Sequence, residues 1–334
     1  MKAPFFWQTD GPIPRLLEPL SALYSGIGAL RLRQGHPQKV AIPVICIGNV
    51  VAGGAGKTPL ALDLLRRLEG AHGLLRGYGG QEKGPLRVDL QSHTFHAVGD
   101  EALLLAQAAP TWVAANRPAG AQAAVAAGAQ VLVMDDGFQN PSLYKDFTFV
   151  VIDGATGLGN GRVMPSGPLR EPLKRALSRL VPHAPNSRPR GAVVIMGDDA
   201  TNLSRRVPPS VPVLFADLHP TPRATSFSGR KVVAFAGIGR PEKVFNTLRS
   251  LGARLVASHP FADHHPYTAS DIQPILDEAF ALGAVPVTTA KDAVRLTPDQ
   301  RQQVDVVEVA AVWRDPQALD ALLATVLSPS ADPA

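Results

Sequence analysis

The chain has 334 residues, 45% of them hydrophobic, which at about 150 residues per domain allows two domains with cores of their own and excludes an intrinsically disordered protein. Its 30 Gly and 31 Pro follow no Gly-X-Y period, which excludes a fibre and points to many turns. The single cysteine, Cys46, excludes a disulfide framework and cysteine-based zinc or iron–sulfur clusters, as expected of a cytoplasmic chain, and the formal charge is +5. Met1 to Asp10 carries no compact apolar h-region and no small-residue cleavage site, and nowhere do 18 uncharged apolar residues run together, so neither a secretory leader nor a membrane span is expected. The basic excess is concentrated in two segments. Lys2, Arg15, Arg31, Arg33 and Lys39 lie in the first, and Arg162, Arg170, Lys174, Arg175, Arg179, Arg188 and Arg190 in the second. A solvated face and an anion-facing surface both fit such runs. Nucleic acid is not expected, because no zinc-finger spacing, RNP motif or aromatic-studded basic stripe occurs.

Leu16 to Leu30 is apolar with one acidic residue and is flanked by Arg15 and Arg31; its uncharged part, Pro19 to Leu30, is too short to cross a bilayer. Leu16, Leu17, Leu20, Leu23, Tyr24, Ile27 and Leu30 recur at spacings of three and four, which suits either an interfacial helix over residues 12–33 or a buried first helix of the core. Pro19 is placed to kink or delay that helix. From Lys39 the run KVAIPVICIGNV reads as a strand buried on both faces of a parallel sheet. Glycines follow, and after Thr58 the residues Leu60, Ala61, Leu64, Leu65 and Leu68 repeat at helical spacing behind Pro59. Strand-like runs at Val131–Met134, Phe147–Ile152, Ala192–Met196, Val211–Phe215, Val232–Ala236 and Val285–Thr288 alternate with Ala-rich helical stretches at Ala102–Ala109 and Ala119–Ala127. The pattern is α/β. Asp217 to Gly229 is Pro/Ser/Thr-rich and precedes a fresh strand, so the expected organisation is an N-terminal interfacial helix (1–35), a P-loop NTPase-like parallel-sheet domain (36–217), a linker (218–229) and a second, smaller α/β domain (230–330).

Gly53, Gly54 and Gly56, followed by Lys57 and Thr58, offer backbone amides for phosphate oxygens, an ammonium for the β/γ-phosphates and a hydroxyl for Mg²⁺. Val51 stands where the strict Walker A pattern has glycine; a glycine-rich turn is the alternative. Asp135 and Asp136 end a hydrophobic strand where P-loop proteins hold the metal, although such acids also cap helices. A nucleoside triphosphate is therefore expected, with either water or a hydroxyl as phosphoryl acceptor. Two further polar clusters, VGDE with Asp100 and Glu101, and FADHHPY with Asp263, His264 and His265, can supply a proton acceptor. A surface turn or a metal site is the other reading of the histidines, but adjacent histidines rarely chelate one ion together.

Eight segments in order, GNVVAGGAGKTP, RGYGG, VGDEALLLA, DDGFQ, GNGRVMPSGPLREP, FAGIGRPEKVF, FADHHPY and KDAVRL, run from about residue 44 to residue 296 and together resemble the tetraacyldisaccharide 4'-kinase family, the lipid A 4'-kinases of Gram-negative bacteria. The resemblance implies a P-loop kinase, peripheral on the cytoplasmic face of the inner membrane. Its reaction would move the γ-phosphate of ATP to the 4'-hydroxyl of an acylated glucosamine disaccharide 1-phosphate lipid, giving lipid IVA. It also implies roles: Asp100 and His264 as the proton-accepting pair, Gly53, Gly54, Ala55, Gly56, Lys57 and Thr58 for ATP, Thr58, Asp135, Asp136 and Glu171 for Mg²⁺, and Asn49, Arg76, Gln139 and Arg170 for the lipid substrate. An anionic membrane surface is the expected partner, and no protein partner is. Leu75, Asn140 and Ala290 depart from the family pattern, where serine, histidine and an acid are common. Two other classes compete: a P-loop NTPase coupling hydrolysis to a conformational or metal-delivery step, which the loop alone permits equally, and a non-catalytic membrane adaptor, which conflicts with intact Lys57, Thr58, Asp135 and Asp136.

Overall fold

Pro19 divides the expected single N-terminal helix into two. In the computed structural model, which describes residues 4–182, 184 and 187–328, α1 (Pro12–Leu16) and α2 (Glu18–Arg33) meet at Leu17. Each carries a proline in its first turn, where the missing N–H costs no helical hydrogen bond. The basic residue Lys2 and residues 329–330 of the expected C-terminal domain lie outside the described residues.

The first strand, β1 (Val44–Gly48), starts directly after Pro43, and the glycine loop leads to α3 (Lys57–Arg67). The chain continues through β2 (Ala71–Leu75), β3 (Leu86–Arg87), α4 (Phe95–Val98), α5 (Asp100–Ala106), β4 (Thr111–Val113), α6 (Arg117–Ala126), β5 (Val131–Asp135), β6 (Phe147–Asp153), α7 (Leu173–Ser178), β7 (Gly191–Met196) and β8 (Val213–Pro220). A second unit holds β9 (Lys231–Ala236), α8 (Pro241–Ser250), β10 (Arg254–Pro260), α9 (Ala269–Ala281), β11 (Val285–Thr289), α10 (Ala290–Ala293), α11 (Pro298–Gln302) and β12 (Asp305–Val307). The final elements are β13 (Val309–Trp313) and α12 (Pro316–Leu327).

The large sheet has nine strands in the order β13-β8-β7-β6-β1-β5-β2-β4-β3, parallel except at its two edge pairs, and the small one has four parallel strands, β10-β9-β11-β12. Alternation along β1 feeds two cores: Ile45 and Ile47 pack with Leu60 and Leu64 of α3, whereas Val44 and Cys46 pack on the opposite face with Ala121 of α6 and Leu177 of α7. Each such aliphatic side chain contributes about 1.5–3 kcal/mol by leaving water.

The expected domain boundaries need correcting. β8 runs on to Pro220, and Pro222–Phe227 forms a short 3₁₀ helix that sends Phe227 into the core of the small unit, so 218–229 is not a free linker. At the other end β13 pairs antiparallel with β8, and Leu319, Leu323 and Val326 of α12 enter the core on the α3 side of the large sheet. The small unit is thus an insertion ending near Glu308, not a C-terminal domain to residue 330. The Trp313 indole N–H donates to Asp63 of α3 at 2.8 Å and fastens the return. VAAVW is short and mixes exposed and buried positions, so nothing in it says which sheet it joins.

Crossover helices of a parallel sheet run back against the strands, and their N-termini gather at the strands' C-terminal edge. The β1–α3 loop, the ends of β2 and β5 and the start of α5 all share that edge.

Candidate active site

The loop after β1 depends on glycine at two positions. Gly53 has φ +116° and Gly56, the residue before α3, has φ +84°, left-handed values at which a side chain is strained. Lys57 and Thr58 open α3, so the helix's unpaired amides face the loop. Ala55 is buried in the α3-side core. Asn49, expected to face substrate, is fully buried instead: its amide donates to the Val51 carbonyl at 2.6 Å and to the Gly53 carbonyl at 3.3 Å. Its place is under the loop, where it sets the loop's shape.

Register sets Ile47 of β1 beside Asp135 of β5, which brings the strand-end acids against the loop. Lys57 Nζ lies 3.6 Å from Asp136 Oδ1, and Arg170 Nη1 donates to the same oxygen at 2.8 Å. Burial works against ionisation of Asp136, but Lys57 and Arg170 outweigh it and hold the carboxyl below its ordinary value. Asp135 is buried, and burial together with the nearby Glu101 carboxylate pushes it upward against the opposing charge of Lys57. Asp135 Oδ1 is buried without a hydrogen-bond partner. Gln139 donates through Nε2 to the Asn49 carbonyl at 3.0 Å and to Glu171 Oε1 at 3.1 Å, and its Oε1 accepts from Arg170 at 3.4 Å. Arg76 is exposed just beyond β2.

Glu171 departs from the metal-ligand expectation. Its Oε1 is held 2.6 Å from Arg179 Nη2, and among the described residues no three His, Cys, Asp or Glu side chains gather as a metal cage. A guanidinium that near takes the place a cation would have on that oxygen, although Glu171 Oε2 is left buried and unpartnered. Thr58, Asp135 and Asp136 still fit Mg²⁺, which binds through one or two carboxylates and leaves its other positions to phosphates and water. The orphaned Asp135 Oδ1 is the kind of hard oxygen such an ion satisfies.

The second cluster crosses between the two units. His264 Nδ1 lies 2.8 Å from Asp100 Oδ2, joining the loop after β10 to the first residue of α5. His264 adopts φ +58°, and its N–H donates to the Gly237 carbonyl at 3.0 Å, which turns the imidazole toward the large domain. His265 points elsewhere, to Asp271 at 3.2 Å. The Tyr78 ring, from the RGYGG segment, stands edge-on to His264 at 5.9 Å.

Sequence reasoning gave no role to two cations in KDAVRL. Arg295, 1% exposed, places Nη2 at 2.7 Å from Asp100 Oδ2, and Lys291 pairs with Glu101 at 3.2 Å. Asp292 holds Arg295 at 3.0 Å and accepts from Tyr267 Oη at 2.9 Å and the Gly237 N–H at 2.9 Å. Burial disfavours the Asp100 carboxylate, yet the His264 hydrogen bond and the charges of Lys291 and Arg295 overcome it and keep the carboxyl well below the usual range. The signal available in the sequence was two cations four residues apart around an acid.

A family model for tetraacyldisaccharide-1-P 4'-kinase, LpxK, matches residues 13–328. The chain belongs to that family. It is 55% identical to the tetraacyldisaccharide 4'-kinase of Rhodospirillum rubrum over 97% of each chain, and 50% identical to that of Rhodospirillum centenum over 98% of this chain and 97% of the relative. Its fold is similar to a crystal structure of LpxK from Aquifex aeolicus in complex with ATP, with a TM-score of 0.72 at 23% identity, covering 94% of this chain and 99% of that one.

Proposed function

We propose that this protein transfers the γ-phosphoryl group of ATP to the 4'-hydroxyl of an acylated glucosamine disaccharide 1-phosphate, with Mg²⁺ as cofactor, at the cytoplasmic face of the bacterial inner membrane. The names of its family and relatives support the reaction. The observation that carries the mechanism is the 2.8 Å contact between Asp100 and His264 across the two units. Asp100, kept ionised by Arg295 and Lys291, accepts a hydrogen bond from the Nδ1–H of His264, and that fixes the imidazole tautomer with its lone pair on Nε2. Nε2 takes the proton of the acceptor hydroxyl. Lys291 Nζ lies 3.4 Å from that nitrogen, in reach of the same oxygen. Lys57 and the amides of Gly53 to Thr58 bind and orient the phosphates, Arg170, beside Asp136, meets the lipid substrate, and Thr58, Asp135 and Asp136 would hold Mg²⁺, which when bound would supply charge neutralisation. Because the base is assembled from two units, their approach couples proton removal to closure and limits transfer to water.

α1 and α2 are the membrane-docking element. Among the described residues no helix is long and apolar enough to cross a membrane. α2 is fixed by its polar side, with Ser21 Oγ on the Val163 carbonyl at 2.8 Å and on Ser166 Oγ at 2.7 Å, and with Arg175 donating to the Ser25 carbonyl at 2.9 Å. Its apolar side faces out: Leu16 at the end of α1 is 82% exposed, and Leu20, Leu23, Ile27 and Leu30 are each more than half exposed. A contiguous apolar face turned outward with arginines at its ends is what an interfacial helix presents.

Transfer of label from ATP to the disaccharide lipid tests the reaction. ATP consumption should rise steeply only with the lipid present, and equal consumption without it would make the protein a hydrolase. Deleting residues 1–33 should weaken sedimentation with anionic vesicles, whereas undiminished sedimentation and turnover would place docking elsewhere.

A further inference from the structure

A half-open cavity of about 270 Å³ lies outside the nucleotide loop, between the end of α2 at Leu32, the segment Phe138–Lys145 after β5, and the side chains of Arg179 and Arg190. That is far more than the ~10–15 Å³ one water needs. Three cationic residues line it, Lys145, Arg179 and Arg190, and no acidic residue does. Among the described residues only Arg179 of the three has an acidic partner, Glu171, which it meets through Nη2; its Nε and Nη1 are buried with no partner among those residues, and the guanidinium lies 4.0 Å from the centre of the Phe138 ring. Lys145 Nζ donates to the Asn140 carbonyl, and burial, helped by the like charge of Arg179, lowers its proton affinity. Arg190 has no side-chain hydrogen bond or ion pair among the described residues. Lys39 Nζ lies over the ring of Tyr144, a lining residue, 5.5 Å from its centroid.

Gathering like charges around an enclosed space is costly unless an anion enters it. We propose that this cavity binds a phosphate ester, with Lys145 and Arg190 contacting its oxygens and Arg179 supplying charge from behind. A guanidinium and an ammonium are the usual pair for such a group. Leu32 near the end of α2 lines the cavity, so on the docking reading of that helix a membrane lipid could present its phosphate there as well as a soluble sugar phosphate, and the two share the chemistry. The site does not depend on which molecule accepts the phosphoryl group from ATP.

The test uses the full chain with its nucleotide loop filled by a non-hydrolysable ATP analogue, so that phosphate binding there cannot contribute. Glucosamine 1-phosphate is titrated calorimetrically, and vesicles of phosphatidylcholine with and without phosphatidylglycerol are sedimented. Arg190→Gln and Lys145→Met should weaken binding of at least one probe by roughly tenfold or more, the size expected for a lost charge-assisted hydrogen bond. Arg190→Lys should keep part of it. Loss confined to the sugar phosphate identifies a soluble or substrate phosphate, and loss confined to the anionic vesicles identifies a lipid headgroup. Arg190 supports no neighbour through its side chain, so Arg190→Gln should melt like the parent even if Lys145→Met does not. Equal affinity of parent and Arg190→Gln for both probes, or no binding of either probe by the parent, overturns the site.

Discussion

The nucleotide loop and the Asp100–His264 pair are built in opposite ways. The loop is one stretch of chain between β1 and α3, shaped by two left-handed glycines and by Asn49 beneath it, and every group it needs belongs to the large domain. The pair joins residues 164 positions apart, and neither has its partner until the two units meet. A local site tolerates movement between units, whereas a shared one reports it. Substitutions in the loop should therefore affect nucleotide handling alone, and substitutions in the pair should affect chemistry while leaving ATP bound.

The largest effect is expected for Lys57→Ala, which removes the ammonium beside Asp136 and should abolish most turnover in the labelled-transfer assay while the protein melts normally. Wild-type rates would take the loop out of the mechanism. Next come Asp100→Ala and His264→Ala, each expected to lower kcat by about 10²- to 10⁴-fold, the usual range for a lost general base, with nucleotide affinity unchanged by equilibrium titration. A parallel loss of ATP affinity would erase the distinction between the two regions. Arg295→Met sharpens it from the stability side: it strips a buried charge from Asp100 and Asp292, and breaking a buried pair from one side costs about 3–5 kcal/mol, readable in denaturant unfolding. The same contact fixes an acid dependence. Asp100 in the folded protein lies below the ordinary carboxylate value of about 3.9, so its contribution to stability is complete above that pH and is lost as pH falls through the folded value. In Arg295→Met the folded value rises toward the ordinary one, so this acid-dependent loss should be smaller and should be complete at a higher pH, a smaller shift visible in melting curves.

What could be read from the sequence follows the same division. Strand, glycine loop and helix are contiguous, and residues 44–67 fold as their order implies because local geometry and the hydrophobic period agree there. Asp100 and His264 were singled out through their motifs, but their meeting depends on how two sheets pack, which no short stretch encodes. Arg295 was missed because a buried arginine beside one local acid, Asp292, looks like any surface arginine until Asp100 arrives from another element. The metal role of Glu171 came with the family resemblance, and only the fold brings Arg179 to its carboxylate. The apolar spacing of α2 announced a face and left its direction open; Ser21, bonded to Ser166, shows that the helix packs on the large domain by its polar side.

The way the chain leaves and re-enters the large sheet has a consequence for synthesis. β8 and β13 are adjacent strands, and the Thr221 N–H donates to the Glu308 carbonyl at 3.0 Å, so both crossings to the small unit start from one place. The edge strand and the helix carrying Leu319, Leu323 and Val326 are translated only after the whole inserted unit. On the ribosome the large domain therefore waits with part of its α3-side core uncovered while the small one, whose four strands are contiguous in the chain, is free to fold first.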